Sequence, residues 1–211
     1  MPNFSELSGL VLSHGTLASM LESYAAPNAK IHSLLKEGRL IGLKKGLYVV
    51  APQKNERLIS LPLIANHLYG PSYVSLEFAL SQYGLIPEFV ATVTSVTTKR
   101  GRQFSTPLSI FSYQTLPADY YSLGIRHIQE DTKVAFMQAS PEKALCDWLV
   151  LTPNLKIYSA KSLATILLED MRMDEQALAE LDLALIEKIA ATGFRQQRLR
   201  FLPEFLRNLS C

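Results

Sequence analysis

The chain has 211 residues, 48% hydrophobic and 19% charged, which excludes intrinsic disorder and, by length, a large multidomain enzyme. Twenty-one Lys and Arg against nineteen Asp and Glu leave a net charge of +2, so any attraction to nucleic acid must come from a local patch. Only Cys146 and Cys211 are present, which excludes a disulfide framework or a four-cysteine metal site; with no secretory leader pattern and no run of about 18 apolar residues, a cytoplasmic protein without membrane contact is expected.

Leu17, Met20, Leu21 and Tyr24 recur at helical spacing and predict an amphipathic helix over residues 16–24. Pro27 and Asn28 open a second helix, Ile31, Leu34 and Leu35 form its inward stripe, and Gly38 stands where a helix-ending residue is expected. The β-prone runs 39–43 and 47–50 flank Lys44-Lys45-Gly46 and predict a hairpin. Two helices followed by a basic-tipped hairpin describe a winged helix-turn-helix, whose second helix enters the major groove while the hairpin tip approaches phosphates. The face opposite the apolar stripe carries Ala29, Ser33 and Lys36, flanked by Lys30 and His32. Lys30, Ser33 and Lys36 are therefore the candidate groove contacts, and Arg39, Lys44 and Lys45 the candidate phosphate clamps.

The polar stretch 51–57 reads as a linker, placing a boundary near residue 55: a DNA-binding domain over 1–54 and an α+β domain over 55–211. Helices are predicted over 61–69 and 75–83, separated by a Gly70-Pro71 turn. Residues 89–137 are rich in Val, Thr, Phe, Tyr and Ile and predict a small antiparallel sheet with strands 90–97, 103–106, 108–115, 125–129 and 133–137. Helices return over 140–151, 160–169, 175–191 and 196–209. Helices on both flanks of a strand block give an α+β fold class.

The first segment, PNAKIHSLLKEGRLIGLKKGLYVV, and then LPLIANHLYGPSYVSLEFALSQYGLIPE, TSVTTKRGRQF and ASPEKALCDWLV, in that order, resemble the AbiEi family of antitoxins, with residues 70–75 the most diagnostic. The resemblance covers the chain to about residue 152. It implies an N-terminal domain that binds operator DNA and represses its own operon. It also implies a C-terminal domain that neutralises an AbiEii-type nucleotidyltransferase toxin. A stand-alone winged-helix regulator, or a protein-interaction module without a toxin partner, is the alternative.

Tyr73, Ser75 and Glu77 in this segment, with the basic turn of Lys99, Arg100 and Arg102, are the candidate antitoxin or partner surface, while Tyr73, with Leu76, Phe78, Leu80 and Tyr83, equally reads as core of the second domain. The basic turn is equally a candidate extension of the DNA footprint. Ser140 and Lys143 satisfy a Ser-x-x-Lys pattern, but Ser140 before Pro141 is also what a helix start requires. Histidines 14, 32, 67 and 127 lack the spacing of a metal site, and no glycine-rich phosphate loop occurs. The expectation is a non-enzymatic regulator without metal or cofactor. An acidic face over 174–188 and the basic residues Arg195, Arg198, Arg200 and Arg207 read as solvated helix faces.

Overall fold

A computed structural model describes residues 7–52, 59–132 and 134–209. The fold is mixed α+β.

Its N-terminal part runs β1 (Val11–Ser13), α1 (His14–Met20), α2 (Pro27–Lys36), β2 (Leu40–Lys44) and β3 (Leu47–Val50). The Ser13 hydroxyl caps α1 by accepting from the Thr16 amide, so the helix begins two residues before its predicted start. It also stops at Met20, four residues short. α2 matches the expectation, with Pro27 in its first turn and Gly38 at φ +69° just beyond its end. The strands form an antiparallel sheet of order β1-β3-β2, and β1 is an addition to the predicted elements. Leu17, Leu21, Ile31, Leu34, Leu40 and Val50 close a small core between sheet and helices.

From residue 61 onward come α3 (Leu61–Leu68), β4 (Ser72–Val74), α4 (Leu76–Gln82), β5 (Val93–Thr97), β6 (Arg102–Ser105) and β7 (Ile110–Thr115). Next are α5 (Ala118–Tyr121), β8 (Ile125–Gln129), β9 (Ala135–Ala139) and α6 (Pro141–Leu151). The sheet is six-stranded, in the order β6-β7-β5-β4-β9-β8. It is mixed rather than antiparallel, because β5 runs parallel to β7 and β4 parallel to β9. In each case the chain first forms the edge strand, β6 or β8, and then returns as its antiparallel neighbour, β7 or β9, to lie parallel to an earlier strand. Alternation along β4 sends Tyr73 to a core built on α4 and α6, and Val74 to the opposite face, which α3 covers with Ile64, Ala65 and Leu68.

The predicted domain boundary near residue 55 lies outside the described residues. On either side of it the chain shares one apolar cluster: Leu43 and Val49 pack with Ile64, Ala65 and Leu68 of α3.

The C-terminal helices are α7 (Ala160–Ala164, continuing as a π-helical turn over Thr165–Asp170), α8 (Glu175–Ala179), α9 (Leu183–Ala190), α10 (Gln196–Leu199) and α11 (Leu202–Leu209). The predicted helix 175–191 is broken because Asp182 starts a new one, accepting from the amides of Ala184 and Leu185. The helix predicted over 196–209 is likewise divided. Arg195 and Arg198 donate to the last carbonyls of α6: Arg195 to Val150, and Arg198 to Leu149, Val150 and Thr152. They satisfy acceptors that a helix end leaves open. Arg198→Ala is expected to cost about 1–2 kcal/mol, as for a charged hydrogen bond to backbone, measurable as a lowered urea midpoint with an unchanged slope.

Candidate nucleic-acid interface

The outward face of α2 is a shallow depression of about 540 Å³ lined by Ala29, His32, Ser33, Lys36 and Glu37. Lys30 is turned aside. Half-buried, it places its ammonium 5.7 Å from the centre of the Tyr24 ring, a cation–π arrangement that directs it along the helix flank. Ser33 donates its hydroxyl hydrogen to Glu37 Oε1 at 2.5 Å, and Arg39 approaches Glu37 Oε2 at 4.0 Å. The Ser33 hydrogen bond, then the charges of Lys30 and Arg39, hold the Glu37 carboxyl below its ordinary range. Glu37 is therefore a carboxylate on the same face as Lys36, a member that sequence reasoning omitted.

The hairpin tip does not stand alone. Lys44, at the end of β2, donates to the Leu68 carbonyl at 2.5 Å and lies 5.8 Å from the centre of the Phe104 ring. Lys99 donates to the Gly70 carbonyl at 2.5 Å and lies 5.6 Å from the Tyr69 ring centre. Arg102 stacks over Phe104 at 4.9 Å. Partial burial, and after it the charges of Arg102 and Lys99, lower the Lys44 ammonium from its ordinary value. Two basic turns separated by more than fifty positions thus meet around the C-terminal end of α3, whose backbone carries partial negative charge. Lys45, next in the β2–β3 tip, is exposed.

Aromatic rings support this patch. Tyr69, Phe104 and Tyr113 pack with ring centres 5.3–5.8 Å apart, and the Tyr69 hydroxyl donates to the Arg100 carbonyl at 3.1 Å. Tyr69, Arg100, Gly101 and Arg102 line a depression of about 340 Å³. Space at Gly101 is tight: a Cβ there would sit 3.0 Å from the Tyr113 carbonyl oxygen. Lys99, Arg100 and Arg102 are the residues that the sequence points to, and Tyr69 is among its polar aromatics, but Phe104, and the stacking that sets it beside Tyr69 under these cations, escape a reading of the sequence alone. Cations next to aromatics are visible in the string, whereas the strand pairing that joins them is not.

Tyr73 and Ser75 require a correction: neither is on a surface. Both are fully buried, and both donate to Asp147 Oδ2, at 3.0 and 2.7 Å. The cause is the alternation of β4, which turns Tyr73 inward, and the position of Ser75 against α6. Lys143 completes the network, with Nζ 3.0 Å from Asp147 Oδ1 and donating to the Tyr120 carbonyl at 2.8 Å. It also lies 3.5 Å from the Tyr120 ring centre. Burial raises the Asp147 carboxyl and lowers the Lys143 ammonium, and their mutual attraction opposes both shifts. Glu77 is half-buried, whereas Lys99, Arg100 and Arg102 are exposed.

Ser140 caps α6 by accepting from the Lys143 amide, and the Lys143 ammonium is directed to Asp147 and Tyr120, so the Ser-x-x-Lys pattern builds a helix start. Gly124 lies against this start at φ +66°, and a Cβ there would be 2.8 Å from Lys143 Cβ. Gly124→Ala is expected to destabilise by about 1–3 kcal/mol through overpacking and backbone strain, seen as a lower thermal midpoint.

Arg195 and Arg198 serve α6, and Arg207 pairs with Glu187, so most of the basic C-terminal run is engaged internally. Among the described residues no group of three His, Cys, Asp or Glu side chains is placed to hold a metal ion. No helix among them is long and apolar enough to cross a membrane.

No protein-family model matches the chain, and no curated protein matches it. Among solved structures it is similar to the crystal structure of the RV2827C protein from Mycobacterium tuberculosis, at 14% identity and a TM-score of 0.62, over 98% of this chain and 78% of that one. The likeness concerns the fold.

Proposed function

We propose that this chain is a DNA-binding regulator of the AbiEi antitoxin type. In this reading residues 11–50 act as a winged helix-turn-helix: α2 lies in the major groove and the β2–β3 tip is the wing. The order helix, helix, hairpin supports it, as does the outward face of α2, which carries Ser33 and Lys36 and is not covered by the core. The observation that carries the reading is the meeting of Lys44 with Lys99 and Arg102. Like charges held together raise one another's electrostatic energy, and a polyanion relieves that cost while releasing its own counterions.

The assignments within the site change accordingly. Ser33 and Lys36 remain groove contacts. Lys30 becomes a flank residue, suited to a phosphate at the groove edge. Lys45, Arg100 and Arg102 take the role of exposed phosphate clamps, with Lys44 and Lys99 both charging the patch and fixing it to α3. Arg39, beside Glu37, stays at the helix end.

The second domain, in this proposal, antagonises an AbiEii-type nucleotidyltransferase toxin, without metal, cofactor or chemistry of its own. The resemblance of residues 61–152 to the family supports this half of the reading. Two experiments test the function. Binding of the full chain to DNA from upstream of its own gene, against unrelated DNA at several salt concentrations, is expected to be specific and steeply salt-dependent. The absence of specific binding at every salt concentration overturns the regulator reading and favours a protein-interaction module. Co-expression with a neighbouring nucleotidyltransferase is expected to relieve its toxicity, and unrelieved toxicity removes the antitoxin half.

A further inference from the structure

The carboxylate on the outward face of α2 is out of place for a surface whose task is to approach phosphate. Glu37 weakens the attraction of Lys36 for a polyanion. It stands at the C-cap of α2, where the helix backbone already presents partial negative charge and disfavours an acid. Its pairing with Arg39 does not account for it: at 4.0 Å, with both side chains 43% exposed, such a surface pair contributes little. What Glu37 supplies is an acceptor, and Ser33, one helical turn earlier, donates to Oε1 and sets the direction of the carboxylate.

In the major groove the exocyclic donors are the amino groups of cytosine and adenine. Adenine also presents the N7 acceptor beside its amino group, which repels a carboxylate, whereas cytosine presents the donor alone. We propose that Glu37, steered by Ser33, is the specificity-determining acceptor of α2 and selects a cytosine in the bound site. This rests on the winged-helix reading above. Ser33 then acts as a positioning residue, and the same carboxylate lowers affinity for DNA that lacks the cytosine.

Selection from a pool of randomised duplexes with the full-length protein tests this whatever the operator sequence is. The wild-type chain is expected to enrich a motif with a cytosine favoured by roughly tenfold or more at one position. Glu37→Gln, whose amide pairs with adenine, is expected to move that preference from cytosine to adenine at the same position. Glu37→Ala should flatten that position and raise affinity for unrelated DNA, and Ser33→Ala should weaken the cytosine preference without changing its identity. If both Glu37 variants enrich the wild-type motif unchanged, the assignment of Glu37 fails and the DNA-binding reading stands. If the wild-type chain enriches no motif, both fail together.

Discussion

Asp147→Ala is expected to remove about 3–5 kcal/mol of folding stability, the cost of leaving a buried charge without its partner. Asp147 and Lys143 are both at 0% side-chain exposure, so neither water nor salt can replace the missing partner. The loss also orphans the hydroxyls of Tyr73 and Ser75, which have Asp147 Oδ2 as their acceptor, and each buried unpaired hydroxyl adds a penalty. Asp147→Asn keeps an oxygen that accepts from both hydroxyls but turns its NH2 toward the Lys143 ammonium, donor against donor, so it should recover only part of the loss. The combined variant Lys143→Met/Asp147→Leu should recover much of the loss, because removing both charges eliminates the desolvation cost together with the attraction. Urea unfolding followed by circular dichroism decides the matter. If the double variant is as unstable as Asp147→Ala, the loss lies in the orphaned Tyr73 and Ser75 hydroxyls and in packing rather than in the charge pair.

Replacing Lys45, Arg100 and Arg102 together by alanine is expected to lower the slope of log affinity against log salt by about three, one for each phosphate that is no longer neutralised. These three are chosen because Lys44 and Lys99 also donate to the carbonyls of Leu68 and Gly70, and their removal would loosen the fold along with the patch. A control triple, Lys156→Ala/Lys161→Ala/Arg200→Ala, makes the same change in net charge among the C-terminal helices and should leave the slope unaltered. Equal effects from the two triples would mean that total charge, rather than the patch around α3, drives association. Titrations of a labelled duplex at four or five salt concentrations suffice to separate the outcomes.

Much of the local structure is legible in the string because its causes are local. Pro27 and Gly38 bracket α2, Ser140 and Pro141 start α6, and Lys44-Lys45-Gly46 closes the hairpin. The elements that escape prediction depend on distant residues. Strand β1 is three residues long and is defined by pairing Val11 with Val49. Strand β4, equally short, is defined by neighbours from β5 and β9. Without β4, and without the direct pairing of β5 with β7 that places β6 at the edge, the mixed sheet reads as an antiparallel one, and Tyr73 and Ser75 fall among the surface candidates.

The same limit applies to the candidate site. Each basic turn can be read alone, but their meeting requires the packing of Leu43 and Val49 on α3 and the pairing of β6 with β7. Lys143 and Asp147 stand one helical turn apart in the sequence, a spacing shared by exposed helical ion pairs. Only the surrounding core distinguishes theirs. Glu37 gives no separate signal, since an acid near a helix end is ordinary until the face it occupies is known.

The two arginines at the end of α6 bear on how the chain is made. A helix that carries Leu145, Leu149 and Val150 into the main core has its final carbonyls closed by residues more than forty positions downstream. During synthesis, α6 leaves the ribosome with that end open, and α9 and α10, which will pack against it, do not yet exist. The core around α6 can therefore reach its native form only after Arg198 has emerged. A nascent chain stalled short of that point presents an unfinished helix and bare Leu, Val and Trp side chains to chaperones and proteases.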